Sequence, residues 1–423
     1  MSRFLQIFKI PDIRNKIFAI LFILLVFRLL ATIPVPGIDV ERLRTFFGSN
    51  QLLGFLNIFS GGALSNLSIM MLGVGPYITA TIIMQLLTMI FPMLKKMYYE
   101  DGPVGRAKFS RYSRYLTVPL AALQSYGFLN LLISQQVLAP LAGWELIRDI
   151  VVITAGTMVL TWLGELITEY KIGNGVSLII FAGIVSQLPQ TIKGAILTYD
   201  PAVLPTYIIF AILSVVIIGA VVFVNEGERK IPISYAKRVR GNKMYGGVAT
   251  YLPLKINQAG VIPIIFAISL LLFPQFFAQI ASIFSPELSV KLQELVTRLL
   301  SNQVIYGSIY FVLVIVFTYF YTAITFDPQE ISKNLQRSGG FVLGIRPGQP
   351  TGDFLKKITH RITLFGAIFL GLIAVLPIAT QLVTGVKILT IGGTALLIVV
   401  SVALEVMKQI DSQLVSREYE GIQ

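Results

Sequence analysis

Long apolar runs alternate with short charged connections along the whole chain. Crossing a bilayer takes about 20 mostly apolar residues, somewhat fewer where a helix is buried among neighbours. Ten stretches qualify: about 17–34, 75–92, 115–134, 149–168, 176–188, 205–224, 260–281, 303–325, 364–382 and 391–407. The pattern predicts an all-α membrane protein with ten transmembrane helices. The fifth run ends at Leu188-Pro189, where a helix either stops or continues past the proline. One stretch departs from the pattern. "NIFSGGALSNLSIMMLGVGPYITATIIMQLLTMIFP", Asn57 to Pro92, begins like a span, breaks at Gly61-Gly62 and becomes uninterrupted only after Gly75-Pro76. Glycines at those points let its first part, about 57–72, fold back as a separate short element.

Charge gives the runs a direction. Lys and Arg gather in cytoplasmic connections of membrane proteins. With the N-terminus inside, 26 of the 34 Lys and Arg fall in inner segments and 7 in outer ones, with Arg28 inside a run, so both termini are predicted to be cytoplasmic. Residues 1–16 are basic and the run from Ile17 is too long for the core of a cleavable leader, so it reads as a retained first span. The preceding "SRFLQIFKIP" fits either an amphipathic turn on the membrane surface or an ordered tail. Ten spans divide into an N-terminal half, 1–188, and a C-terminal half, 205–407, with a Pro-rich external linker, 189–204, and a tail, 408–423. Five spans per half would make the halves inverted relative to one another. Two inner loops, 225–259 and 326–363, are basic and carry turn sequences such as "RGNKMYGG" and "GIRPGQPTGD". Their charge alone could serve topology. Their length points to docking on phosphate or on an acidic protein.

Composition removes most chemistry. Of 423 residues 55% are hydrophobic and 13% charged, with a net charge of +13, no Cys and a single His, His360. Thiol nucleophiles, Cys-ligated metals and His-based metal sites or proton relays are excluded, and no cofactor is called for. There is no G-x-x-x-x-G-K-[ST] phosphate loop and no H-E-x-x-H. Ion-coupled transport normally uses ionisable groups near the midplane. Arg28, Glu165, Glu169 and Glu405 are the candidates, and all four lie toward span ends, where structural placement explains them. A passive conduit is the class that remains.

The ordered motifs "FSGGALSNLSI", "GPYITATIIMQLL", "WLGELITEYKIGNGVSLIIFAGIV", "YLPLKINQAGVIPIIFA", "NLQRSGGFVLGIRPG" and "GGTALLIVVSVALE" resemble the SecY family, the channel subunits of the Sec translocon, most closely in its bacterial form. The similarity runs from "TIPVPGID" at Thr32 through the last span. It implies two inverted five-helix halves forming a clamshell around an hourglass pore in the bacterial cytoplasmic membrane. That pore would pass unfolded secretory polypeptides and release apolar segments sideways into lipid. By motif matching, the central ring would be Val74, Ile78, Val176, Ile180, Ile265 and Ile398. Val74/Ile78 and Val176/Ile180 are i, i+4 pairs that share a helix face. Such pairs usually face lipid or pack against neighbours, and only the resemblance singles these out. It makes the broken segment a plug, with Phe59, Ser60, Gly61, Gly62, Ala63 and Leu64 at its centre.

The sideways exit would lie between spans two and three on one side and seven and eight on the other. Thr81, Gln85, Thr88, Asn257, Gln258 and Ser269 are polar groups placed either to face that seam or to make ordinary interhelical hydrogen bonds. The long loops match docking sites for the ribosome and for a SecA-type motor ATPase, with Arg346 foremost and Arg238, Arg240, Lys243 and Lys255 keeping the earlier loop basic. Where the family often has a basic pair after the glycine of "RGNKMY", this chain has Asn242-Lys243, which departs from that pattern. Implied partners are small SecE-like and SecG-like membrane subunits, signal sequences and nascent chains, and anionic lipids. A small-solute transporter and a non-conducting ribosome scaffold are the competing classes.

Overall fold

The computed structural model describes residues 10–36, 60, 62–64, 67–134, 138–197, 204–235, 238–240, 243–245, 249–285, 287, 290–292, 294–296, 302–384 and 392–420. It is mostly helical. Helix α1 (Pro11–Leu30) starts on a proline, whose missing N–H costs nothing in the first turn. Helix α2 (Gly75–Ile90) ends at Phe91, which takes the extended backbone favoured before proline, and α3 (Pro92–Tyr99) leaves at 112°. Then come α4 (Gly102–Ser134), α5 (Gly143–Glu169), α6 (Gly175–Leu197) and α7 (Leu204–Glu226). Strands β1 (Glu228–Tyr235), β2 (Arg238–Arg240), β3 (Lys243–Tyr245) and β4 (Ala249–Lys255) lead to α8 (Ile262–Phe284) and α9 (Gln303–Thr325). The chain closes with α10 (Pro328–Arg337), β5 (Gly340–Val342), α11 (Gln349–Thr384) and α12 (Gly392–Glu420).

Among the described residues, four helical stretches are long and apolar enough to cross a membrane: Gly102–Ile133, Gly143–Glu169, Gln303–Arg337 and Gln349–Leu382. A fifth joins them if the bent pair α2 and α3 counts as one span, and Gly175–Pro189, Ala211–Glu226 and Ile262–Leu271 are shorter apolar helices. Several helices overrun the apolar runs that predict them. Helix α6 continues through Pro189 into the expected linker, α4 begins at Gly102 within a basic connection, and α12 extends through the expected tail to Glu420.

The chain forms two compact units: Met1–Leu204 with Ile268–Asn302 and Val402–Gln423, and Pro205–Ala267 with Gln303–Ser401. The division falls inside α8 and α12. In the first unit, α3 folds back on α4, burying Met84, Met97 and Phe109. The approach is close enough that a Cβ at Gly105 would lie 2.1 Å from the Met97 carbonyl oxygen. The segment 67–74 returns to the chain after α1 through Val35 N to Leu67 O (2.8 Å) and Ile69 N to Ile33 O (3.0 Å). It buries Leu67 and Met71 with Leu129, Leu132 and Ile153.

In the second unit the two long basic loops are one structure. Strand β1 pairs antiparallel with β4 from its own loop and with β5 from the other, Ile231 facing Leu252 and Ile233 facing Val342. Alternation along β1 buries Ile231 and Ile233 on one face. That face and α11 enclose a small core of Ile231, Leu254, Val342 and Leu355. Asp327 caps α10, accepting from Gln329 N at 2.9 Å and Glu330 N at 3.2 Å. Helices α9 and α11 pack through glycines: Gly307 meets Val375 and Ile378, and Gly371 meets the Phe311 ring.

Candidate functional site

Four of the six expected ring residues belong to the first unit. Val74 caps α2 and is buried, and Ile78 N donates to Val74 O at 3.0 Å, stacking the two side chains on one face. Val176 and Ile180 open α6, half-buried and buried respectively. Their helix start is tightly fixed. Asn174 Oδ1 accepts from Val176 N (3.0 Å) and Ser177 N (3.3 Å), a side-chain cap. Gly175 lies so near α5 that a Cβ would stand 1.8 Å from the Gly164 carbonyl oxygen, and Gly175 N donates to Thr168 Oγ1 at 2.9 Å.

The turn before it is clasped by the far end of the chain. Gln409 accepts from Gly173 N, and Gln413 Nε2 donates to Lys171 O at 2.7 Å. Gly173, at φ +100°, adopts a backbone that a side chain would strain. Ile265 on α8 and Ile398 on α12 are buried in the second unit.

The polar residues expected at the seam find different surroundings. Thr81 donates to Tyr77 O at 2.8 Å and Thr88 to Gln85 O at 2.6 Å, so both hydroxyls bond their own helix. Gln85 is buried, and its Oε1 has no hydrogen-bond partner among the described residues. In the second unit Asn257 Nδ2 donates to Asn225 Oδ1 (2.8 Å) and Gly260 O (3.2 Å), and Asn225 Nδ2 donates to Ser401 Oγ (2.7 Å). That chain of two amides and a hydroxyl ties the entrance of α8 to α7 and α12, the interhelical bonding that was the alternative to a seam for Asn257, with partners that sequence reading did not name. Asn257 Oδ1 and Gln258 Oε1 have no partner among the described residues, and Ser269 is half-buried on α8.

Of the expected plug residues, Phe59 and Gly61 lie outside the described residues. Ser60, Ala63 and Leu64 are buried, Ser60 Oγ accepts from Leu64 N at 3.1 Å, and Gly62 turns at φ +82°.

On the loops, Arg346 is exposed on a turn between Gly344 (φ +81°) and Gly348 (φ +95°). The turn is pinned at both ends. Thr351 Oγ1 donates to Arg346 O at 2.8 Å, and Ser332 Oγ to Gly348 O at 2.5 Å. Lys255 is exposed at the end of β4, opposite Glu228. Arg238, Arg240 and Lys243 belong to the two-stranded β2–β3 ladder, in which Arg240 pairs in register with Lys243; Asn242 lies outside the described residues.

Of the ionisable groups noted in the sequence, Glu165 accepts from Arg114 Nη1 at 2.8 Å and from Ser110 Oγ at 3.5 Å, joining α5 to α4. Sequence reasoning passed over Asp149. It sits next to Arg148 at the edge of an apolar run and looks like a water-facing charge, yet it is fully buried. Its spacing with Ile153 and Gly156, i, i+4, i+7, is the signal that would have placed it on the packed face.

These features define a polytopic α-helical membrane protein whose helix starts are locked by glycine contacts and whose basic loops share one folded platform. The chain belongs to the SecY family, whose model matches residues 68–407. The protein translocase subunit SecY of Corynebacterium glutamicum is 43% identical over 445 residues, covering all of both chains. Its counterpart from Mycobacterium tuberculosis is 42% identical over 441 residues, covering 100% of this chain and 99% of that one. The fold resembles a solved protein-conducting channel at TM-score 0.65 and 20% identity, covering 94% of this chain and 91% of the other. It also resembles Sec61 from a canine ribosome-channel complex at TM-score 0.62 and 20% identity, covering 94% and 91%.

Proposed function

We propose that the chain is the pore-forming subunit of a bacterial Sec-type translocon, ten spans in two inverted five-helix halves closing like a clamshell on a central pore. It passes unfolded secretory polypeptides across the cytoplasmic membrane and releases apolar segments sideways into lipid. The observation that carries this reading is end-to-end similarity to protein translocase subunits at over 40% identity. Both termini are cytoplasmic, in keeping with the distribution of Lys and Arg.

The proposed ring, Val74, Ile78, Val176, Ile180, Ile265 and Ile398, offers a sliding chain no hydrogen bond and no charge, so every residue type passes. A narrow aliphatic constriction also dewets and resists ion flow when idle. Sorting follows from partition. A central Leu or Ile gains about 0.3–0.6 kcal/mol on entering lipid, so a signal sequence leaves sideways where a polar segment continues through. The seam carries Thr81, Gln85, Thr88, Asn257, Gln258 and Ser269. Energy comes from partners, a SecA-type motor or a ribosome, docking on the loop platform at Arg346, Lys255, Arg238, Arg240 and Lys243. Small SecE-like and SecG-like subunits and anionic lipids complete the assembly, with no cofactor.

Depleting the chain should leave precursors with uncleaved signal peptides in the cytoplasm. Undiminished export after depletion would refute the proposal. A saturable flux of one small solute through the purified chain would support a transporter instead.

A further inference from the structure

Helix α5 carries a buried stripe, Asp149, Ile153, Gly156, Thr157 and Leu160, whose spacing puts all five on one face. The segment 67–74 lies against its Ile153–Gly156 part, where Leu67 and Met71 share a buried cluster with Ile153 and Gly156 is a point of backbone contact. A Cβ built there would stand 2.0 Å from the Ile69 carbonyl oxygen and 2.8 Å from its carbon. Both atoms are main chain, so no rotamer change relieves the overlap. On its other side the segment is bonded to Ile33 and Val35 through Ile69 N and Leu67 O. It is held between a two-bond ladder and a notch that only a hydrogen atom fills, and any side chain at 156 forces it to give up one or the other.

The same stripe contains an opposing feature. Asp149 has 0% exposure; its Oδ1 accepts from Arg148 Nε at 2.9 Å, while its Oδ2 has no hydrogen-bond partner among the described residues. Thr157 Oγ1 is in the same condition. Buried polar atoms without hydrogen-bond partners oppose the packing that buries them, and the opposition ends once water reaches them.

We infer that the Gly156–Asp149 face of α5 is the seat of segment 67–74, with Gly156 setting how closely the segment closes and Asp149 making the closed position easier to leave. The inference rests on reading the broken segment, about 57–72, as the plug, with 67–72 its seated part. Neither residue touches the translocating chain; both are positioning residues. The seat gives the two positions opposite signs: enlarging 156 opens the idle channel, and an apolar residue at 149 holds it shut.

The test uses the reconstituted full-length complex, with Gly156→Ala, Gly156→Val and Asp149→Leu made both in the intact chain and in one lacking residues 60–70. Ion conductance of the idle channel is the first readout. A second keeps the test independent of conductance and of the larger variant's folding. The chain has no cysteine, so Met71→Cys places one thiol on the seated segment, where Met71 is buried, and its reaction rate with a water-soluble thiol reagent reports unseating. Overpacking at the notch should raise both readouts about tenfold in the intact chain, Gly156→Val more than Gly156→Ala. Asp149→Leu should lower both. In the deleted chain none of the three should change idle conductance.

Unchanged conductance and thiol reactivity in Gly156→Ala would overturn the seat while leaving the plug reading intact, provided the deletion itself raises conductance. Equal effects of Gly156→Val in both backgrounds would also overturn it, since they would mark a role in folding alone. A deletion that leaves idle conductance unchanged would defeat the plug reading, and the inference with it.

Discussion

The segment 67–74 on α5 and the loop platform built on β1 solve the same problem, holding an irregular stretch of chain in place, but only the segment adds close backbone contact to its buried side chains. On the platform the contacts are side chain to side chain. Ile231, Leu254, Val342 and Leu355 come from four separate elements and are buried together beneath a sheet whose register fixes them. Against α5 the segment also buries Leu67 and Met71 with Leu129, Leu132 and Ile153. Main-chain contact is added to that core, Ile69 on Gly156, just as the start of α6 sets Gly175 on Gly164 further along the helix. The difference follows the solvent. A loop in water gains by hiding apolar surface, at about 25 cal/mol per Å², and any well-shaped aliphatic cluster will serve. Between spanning helices that gain is absent, since lipid tails are as apolar as Leu, and close approach of small residues to a neighbouring backbone supplies packing there. The platform should therefore be sensitive to losing side-chain volume, and the α5 face to gaining it.

Leu355→Ala probes the first half of that contrast and should have the largest effect. Leu355 is fully buried, and deleting its side chain should cost the platform about 4 kcal/mol. Limited proteolysis should then cut within 225–259 and 326–363 while the spans stay protected. Cleavage rates like those of the unaltered chain would show that the small core does not hold the loops together.

Gly175→Ala probes the other half. Adding one methyl group against the Gly164 carbonyl should lower stability by about 2–3 kcal/mol, read as thermal unfolding of the detergent-purified complex. Gly143→Ala, where a Cβ would meet nothing within 4 Å, is the matched control and should have little effect. If the two alanines behave alike, backbone proximity is not what fixes the start of α6.

A smaller effect is expected where the helices use charge. The Arg114–Glu165 pair joins α4 to α5 at 2.8 Å, with side chains 37% and 24% exposed, so water weakens it. A double-mutant cycle of Arg114→Ala with Glu165→Gln should give a coupling of about 0.5–1 kcal/mol. A coupling several times larger would mean that charge rivals the glycine contacts in holding this unit together.

How much could be read from the sequence followed the same divide. The apolar runs anticipate helices because the pattern needs only local composition, and the family is legible because its motifs are long and ordered. The platform was not visible as one object. Its core residues are scattered from Ile231 to Leu355, and β5 is a three-residue strand with no period of its own to detect. The bend at Phe91-Pro92 was available in principle, since proline constrains the residue before it. Gly156 had no special signal, because a helical glycine shows its purpose only when the backbone it faces is known. The amide chain Asn225, Asn257 and Ser401 was split in the same way: Asn257 was visible as a polar residue near the start of a span, but its partners on α7 and α12 are distant in sequence.

The most direct test of the account is whether a polypeptide in transit meets the proposed ring. A photo-crosslinking residue placed in turn at Ile78, Ile180, Ile265 and Ile398, with a secretory chain stalled during export, should give adducts to that chain at all four positions. Exposed apolar positions such as Phe22 and Ile212 should give none. Adducts at the exposed positions but not at the four isoleucines would contradict a central aliphatic pore.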